Sequence, residues 1–440
     1  MTMPTRAALV LASISSVLAG CHDASAGSSN TKSDAAAAMD NAADLIQEGQ
    51  RVFRFDSFGS EAFWGDALRV HETIAGVALG GVGPGVSPAT ALSVGLKVDE
   101  DALPGKLRAD LIHGRVDLDD PANTVALIEL DAVVGLRGVF AGGFLTSIGI
   151  SCALCHSTVD DSLAPGIGRR LDGWPNRDLD VGQVISLAQD LTPFTQLLGV
   201  SDTDVRDVLA SWGPGRFDAH LVLDGKAFRP DGASASVLLP AALGLGGVNL
   251  ATYTGWGGVS HWNPLVGNLE MHGQGRFFDP RLADFLKFPI AAREGFDDVT
   301  AAEDRVTPTL QALQLYQLSI PVPEPPAGSF DAVAADRGRV LFAGKADCAR
   351  CHVPPIFTEP GFNAHTAAEI GIDDFQALRS PIERYRTTPL RALFIRAKGG
   401  FYHDGRFADL EAVVEHYDQT FTLLLTAPEK EDLVEYLKSI

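Results

Sequence analysis

Cys348-Ala349-Arg350-Cys351-His352 decides how this chain is read, and Cys152-Ala153-Leu154-Cys155-His156 repeats it. Two cysteines at this spacing reach the two vinyl groups on one edge of a porphyrin. The histidine that follows falls beneath the iron as its proximal ligand. One copy would also fit a thiol redox pair or half a zinc site. Two copies, each closed by histidine, point to two covalently held haem c groups. Cys152, Cys155, Cys348 and Cys351 are then the attachment points, and His156 and His352 the iron ligands. The chain has five cysteines. The fifth, Cys21, has a separate reading, so none remains for a disulfide.

Around the second motif the pattern predicts a compact module over 327–440. Asp331 to Phe342 reads as a helix ahead of the cysteines, and Thr426 to Ile440 as a closing helix. Thr426 caps that helix, Glu429 completes a capping box, and Leu433, Val434 and Leu437 form its buried stripe. Pro321 to Pro326 is the linker into this module. The first motif has a similar opening, displaced. Glu48-Gly49-Gln50-Arg51-Val52-Phe53 repeats the glycine-to-phenylalanine spacing of Gly338 to Phe342, but Cys152 lies far downstream. The fold class expected is therefore mainly α. It comprises two cytochrome c-like haem modules, 44–320 and 327–440, the first with a long insertion over about 57–140. That insertion has turns around Gly80 to Pro88 and predicted helices near Ala102 to Gly114 and Ala122 to Leu136.

The start reads as a processing segment. Arg6 precedes an apolar run, Ala7 to Val17, too short to span a bilayer. Leu18-Ala19-Gly20-Cys21 resembles the lipobox of bacterial lipoproteins. On that reading 1–20 is a signal peptide, and Cys21 becomes an acylated N-terminus firmly held by its chains. His22 in place of aspartate favours the outer membrane by the usual sorting pattern, with the protein on the periplasmic side. Residues 21–43 are poor in large apolar side chains and read as a flexible tether. The net charge of -21 argues against nucleic acid. It suits a basic donor protein or plain solubility.

The C-terminal hundred or so residues resemble the di-haem cytochrome c peroxidase and MauG-like superfamily. The resemblance is carried by Tyr385-Arg386-Thr387-Thr388-Pro389-Leu390-Arg391, Phe401-Tyr402-His403-Asp404-Gly405-Arg406-Phe407 and Leu410-Glu411-Ala412-Val413-Val414-Glu415-His416-Tyr417. It implies a division of labour. The C-terminal haem receives electrons from a small donor protein, a cytochrome or cupredoxin, and the N-terminal haem meets hydrogen peroxide or dioxygen. It also implies a tryptophan between the haems, for which Trp174, Trp256 and Trp262 are candidates, and, by resemblance alone, calcium. The loops Ser211 to Gly215 and Tyr253 to Gly257 look faintly like those of di-haem rubber oxygenases. Family peroxidases often carry Asn-Pro-x-Glu-Met at the peroxide pocket. Here Asn263-Pro264 and Glu270-Met271 stand apart, which makes Glu270 a suggestion only for the catalytic acid–base residue.

Axial ligands decide what each haem does. The four methionines are Met1, Met3, Met39 and Met271. Only Met271 lies in the body, so at most one haem has methionine ligation. Met271 and its neighbour His272 are ligand candidates for the first haem. His71, His113, His220 and His365 default to structural roles. In the superfamily the position matching Tyr417 carries methionine in typical peroxidases and tyrosine in MauG-like members. Helical spacing places Tyr417 on one stripe with Leu410, Val413 and Val414, and turns His416 outward. Tyr417 is thus the candidate second ligand of the C-terminal haem, and Arg391 the candidate partner of its propionate. The favoured function is a peroxidase-like oxidoreductase. Two readings compete with it: a pure electron-transfer di-haem cytochrome, and a MauG- or rubber-oxygenase-like oxidation of an organic substrate.

Overall fold

Two helix crossings of the same kind organise the chain. In the computed structural model, which describes residues 30–440, the helix Asn30–Phe55 crosses the helix Leu310–Ser319. Gly49 makes the crossing close: a β-carbon there would stand 2.6 Å from both the Ala312 carbonyl carbon and the Tyr316 β-carbon. One turn on, Phe53 meets Tyr316 edge-on, with ring centroids 5.5 Å apart. The helix Ala332–Ala343 crosses the closing helix Ala427–Lys438 in the same way. A β-carbon on Gly338 would stand 2.6 Å from the Asp432 carbonyl carbon and 2.8 Å from the Tyr436 β-carbon. Phe342 then meets Tyr436 edge-on at 5.2 Å. The two Gly-x-x-x-Phe segments are therefore structural counterparts.

Local chemistry sets the ends of these helices. The Asp331 carboxylate accepts from the amides of Val333 and Ala334 at 2.8 and 3.0 Å. Thr426 and Glu429 form the expected capping box, the Thr426 amide donating to the Glu429 carboxylate at 2.7 Å. At the other end of the chain the first helix begins at Asn30, inside the stretch read as a tether. Its alanine-rich composition is helix-forming, and residues 34–43 are almost all exposed. Cys21 and the signal segment lie outside the described residues. The described chain divides into two units, one ending at Leu45 and a compact body from Ile46 to Ile440.

The fold is mixed rather than mainly α in the plain sense. Among the described residues the helices are joined by five two-stranded sheets. The largest is the antiparallel hairpin Leu136–Ala141 with Phe144–Ile150, closed by Gly142-Gly143 at positive φ. The sequence reading carried a helix through to Leu136. The helix instead runs Pro121–Glu129, after which Asp131 takes a left-handed conformation and the hairpin starts. The hairpin leads straight into Cys152. Nor is the inserted region an appendage. Trp64, Leu68, Ile74, Val86, Leu96 and Ile128 form one apolar cluster with Leu179, Val184, Leu209 and Trp212. The insertion thus builds a wall around the first Cys-x-x-Cys-His motif. Among the described residues no helix is long and apolar enough to cross a membrane.

Candidate functional site

Each Cys-x-x-Cys-His motif opens onto its own cavity. Cys152 precedes the short helix Ala153–His156, and Cys152, Cys155 and His156 line a cavity of about 270 Å³. Cys348 to Arg350 form a turn of 3₁₀ helix, and Cys348, Cys351 and His352 line a cavity of about 860 Å³. The two histidines are held alike. His156 Nδ1 lies 3.1 Å from the Pro240 carbonyl, and His352 Nδ1 lies 3.1 Å from the Phe357 carbonyl. A carbonyl partner puts the hydrogen on Nδ1 and leaves the Nε2 lone pair for a metal. Burial holds both rings neutral: it lowers His156 and brings His352 down to about 4. Burial also pushes the thiols of Cys152, Cys155 and Cys348 up to about 12. These are neutral thiols on apolar walls rather than a reactive thiolate pair. Among the described residues no cysteine is in a disulfide.

The second cavity carries a charge problem that a haem would solve. Arg177, Arg386 and Arg396 line it, and none has a carboxylate partner among the described residues. They donate to carbonyls instead: Arg386 to Leu250 at 2.6 Å and to Thr252, Arg396 to Pro389 at 2.7 Å, and Arg177 to Lys398 at 3.4 Å. The Nε atoms of Arg177 and Arg396 have no partner. Burial pulls Arg386 down to about 9 and Arg396 to about 10, each further depressed by a neighbouring arginine. Enclosed guanidinium groups without anions are costly. The two propionates of a haem are the right charge and chemistry to join them.

Tyr417 lines this cavity together with Leu410, Val413 and Val414, so the expected stripe faces inward. Its neighbour His416 is turned away, with Nε2 2.9 Å from the Ile370 carbonyl. Tyr417 stacks on Phe421 at 5.7 Å and stands beside Tyr402, ring centroids 6.2 Å apart. Arg391 does not line the cavity and makes no ion pair. It sits five residues beyond Arg386 on the same segment, and Arg386 takes the position expected of it.

The first cavity is more apolar. Trp64, Phe194, Trp212 and Trp262 line it, and the polar groups among them are few. The helix Val259–Leu265 continues as a π-helical turn, Val266–Glu270. Such turns re-aim side chains at functional sites. This one accounts for the stretched spacing between Asn263-Pro264 and Glu270-Met271, and it brings Glu270 to the cavity wall. The Glu270 Oε1 atom is buried without a partner. Burial, and then the charge of Asp218, raises its carboxyl well above the usual carboxylate range. Glu270 is therefore a buried acid facing the cavity, its neutral form favoured by that burial, and not a solvated surface group. Met271 and His272 line the same cavity. The Met271 carbonyl accepts from Trp64 Nε1 at 3.1 Å, and the His272 ring stacks on Phe63 at 3.5 Å.

The two cavities share a wall. Pro240, Ala241, Leu245, Tyr253 and Arg386 line both. Trp174 packs in one cluster with Cys152, Ala392 and Phe394, and meets Phe394 edge-on at 5.7 Å. Trp256 and Trp262 pack on each other at 5.1 Å, in a separate apolar cluster. Sequence reasoning gave no role to Arg177, Arg386 or Arg396 and a structural one to His220. Only Arg386 lay in a stretch the sequence had singled out.

A histidine held by a carbonyl, two neutral thiols and, in one cavity, a cationic cradle would suit a haem c group. Over its matched stretch the chain is similar to a MauG-like member of the di-haem cytochrome c peroxidase superfamily. It is 38% identical over 97 residues to the methylamine utilization protein MauG of Methylorubrum extorquens, a match that covers 20% of this chain and 27% of that protein. The chain thus spans about a quarter of the curated relative it matches. Two solved structures are also similar. One is a MauG-like protein associated with microbial copper homeostasis (19% identity, 49% of this chain and 79% of that one, TM-score 0.33). The other is hydrazine synthase of Kuenenia stuttgartiensis (18% identity, 49% and 76%, TM-score 0.26). No family model matches the chain.

Proposed function

We propose that this protein is a di-haem c-type oxidoreductase of peroxidase-like activity, built as two cytochrome c-like modules with both haems covalently attached. A small donor protein, a cytochrome or cupredoxin, delivers electrons to the C-terminal haem. They pass to hydrogen peroxide or dioxygen at the N-terminal haem. The observation that carries this reading is the difference between the cavities. The second holds the Tyr417 phenol in the same cavity as the haem motif, with a cationic cradle. The first offers apolar walls and a buried acid, Glu270.

Bound haem would supply the redox chemistry, and His156 and His352 would hold it through Nε2. The chain's own part is proton delivery and exclusion of water. Reducing hydrogen peroxide breaks the O–O bond, takes up two electrons and two protons, and releases two waters. Glu270 enters that reaction with its proton in place, as a general acid must. Trp174, between Cys152 and Phe394, is the aromatic group best placed for electron passage between the modules. Two tests apply together: steady-state turnover of hydrogen peroxide with a reduced small cytochrome, and a high-spin ferric band in the resting spectrum. Two low-spin haems without turnover would favour an electron-transfer cytochrome, with Met271 or His272 on the first iron. Tyr417 favours a second reading, a MauG-like enzyme that stores oxidising equivalents for a larger organic substrate. We place the protein on the periplasmic side, anchored through acylated Cys21 to the outer membrane. A Cys21→Ser protein that stays in the membrane fraction would overturn that placement.

A further inference from the structure

His220 belongs to neither haem motif, yet it is built into the first cavity with unusual care. Its ring is 5% exposed and lines the cavity with Glu270. Nδ1 lies 3.3 Å from the side-chain amide nitrogen of Gln376, while Nε2 is buried with no partner. The backbone beneath is fixed separately. The His220 amide donates to Asp218 at 3.1 Å. Asp218 and Asp224 together clamp Arg379, which lies 3.0 Å from the first and 2.8 Å from the second. Arg379 is 1% exposed and is the largest fully buried side chain.

Gln376 and Arg379 come from one short segment, Phe375 to Arg379. That segment pins the imidazole with one residue and its main chain with the other. Burying three charges is expensive and yields little net stability. What it yields here is position. A buried nitrogen left bare carries the cost of an unmade hydrogen bond. Because the Gln376 amide donates to Nδ1, the ring hydrogen sits on Nε2, which is free to donate. Glu270 Oε1, Trp212 Nε1, Trp262 Nε1, Thr252 Oγ1 and Gln376 Oε1 are also buried without partners on the same wall. Unpartnered polar atoms on a wall lined largely by apolar side chains suit a small oxygen species.

We propose that His220 Nε2–H donates a hydrogen bond to the oxidant that enters the first cavity. This rests on the reading of that cavity as the oxidant site. His220 keeps its proton and orients the peroxide oxygen. Reduction of that peroxide to two waters takes two electrons from the donor protein and two protons, neither of which His220 gives.

The test uses fluoride, a small anion that binds open ferric haem and is sensitive to hydrogen-bond donors beside it. Purified holoprotein, His220→Leu and Gln376→Leu are titrated with fluoride and followed by absorption. Fluoride affinity is expected to fall at least tenfold in His220→Leu. It should fall less in Gln376→Leu, which frees the ring without removing it, and the low-spin band of the other haem should stay as it is. Should His220→Leu fail to fold, Gln376→Leu carries the test alone. Equal affinity in the parent and in every folded variant would overturn the proposal. So would a low-spin haem turning high-spin in either variant, since His220 would then be an iron ligand. If the parent itself has no fluoride-binding haem, the oxidant-site reading fails first and takes this proposal with it.

Discussion

Gly338 lies so close to Asp432 that a β-carbon on it would collide with the Asp432 carbonyl group. In an unconstrained helix, Gly→Ala stabilises by about 1 kcal/mol. Here overpacking outweighs that gain, because forcing a methyl into a filled contact costs ~1–3 kcal/mol and the obstacle is main chain. Gly338→Ala is expected to lower the melting temperature, and Gly49→Ala to do the same at its counterpart crossing with Ala312. Gly105→Ala is the control, since nothing lies within 4 Å of the added atom. Thermal unfolding of the three variants decides it. A Gly338→Ala protein as stable as the control would mean that the crossing is looser than described.

The paired motifs make a prediction about mass. Replacing Cys152 and Cys155 with alanine is expected to leave one covalent haem, and replacing all four motif cysteines to leave none. Intact mass and haem-stained denaturing gels measure this. A parent protein whose mass exceeds the polypeptide by one haem only would end the two-haem reading.

The capped closing helix and the inward stripe of Tyr417 were legible because each depends on residues close in sequence. A cap three residues from its partner and a helical period are local quantities. The arginine cradle was not legible. Arg177, Arg386 and Arg396 are united by their lack of anionic partners, and no sequence shows a missing partner. The sequence singled out Arg391, whereas Arg386 on the same stretch is the one that lines the cavity. Glu270 was hidden by the π-helical turn, which shifts the motif's spacing while keeping its side chain on the wall. The helix from Ala122 was carried on to Leu136, past its end at Glu129, because a short apolar run does not distinguish the approach to a strand from a buried helical turn.

The cradle separates Arg386 from Arg391. Removing a buried cation beside a propionate favours the more positively charged ferric state. Arg386→Ala is expected to lower the reduction potential of the C-terminal haem, and Arg391→Ala to leave it unchanged. Spectroelectrochemical titration reads both. Equal shifts in the two variants would dissolve the distinction.

Burial makes His220 a source of acid sensitivity. Its environment, with the charge of Arg379 adding to desolvation, lowers its pKa to about 3, against about 6.5 in an unfolded chain. A depressed folded-state value means the neutral ring's contribution is complete above about pH 6.5 and is lost as the pH falls toward 3. Each unit in that window costs about 1.4 kcal/mol. Between pH 7 and 5 the stability of the parent should therefore drop more steeply than that of His220→Gln. Parallel slopes in denaturant unfolding would mean that His220 is protonated at little cost and is less enclosed than its 5% exposure indicates.

Tyr417 bears most directly on what kind of enzyme this is. Its phenol lines the second cavity, and burial raises its pKa, so nothing in the protein alone would ionise it. A ferric iron would, because a hard cation stabilises the phenolate that desolvation opposes. The competing side chain is already occupied, with His416 Nε2 bound to the Ile370 carbonyl. A phenolate ligand favours ferric and higher oxidation states and lowers the potential relative to methionine. Tyr417→Phe keeps the ring that stacks on Phe421 and removes only the oxygen. The expected result is loss of the low-spin signature of the C-terminal haem and a rise in its reduction potential, with haem content unchanged. Unaltered spectra and potentials would make Tyr417 a packed core residue. The reading of the C-terminal haem as a store of oxidising equivalents would fall with it, leaving the simpler electron relay of a peroxidase.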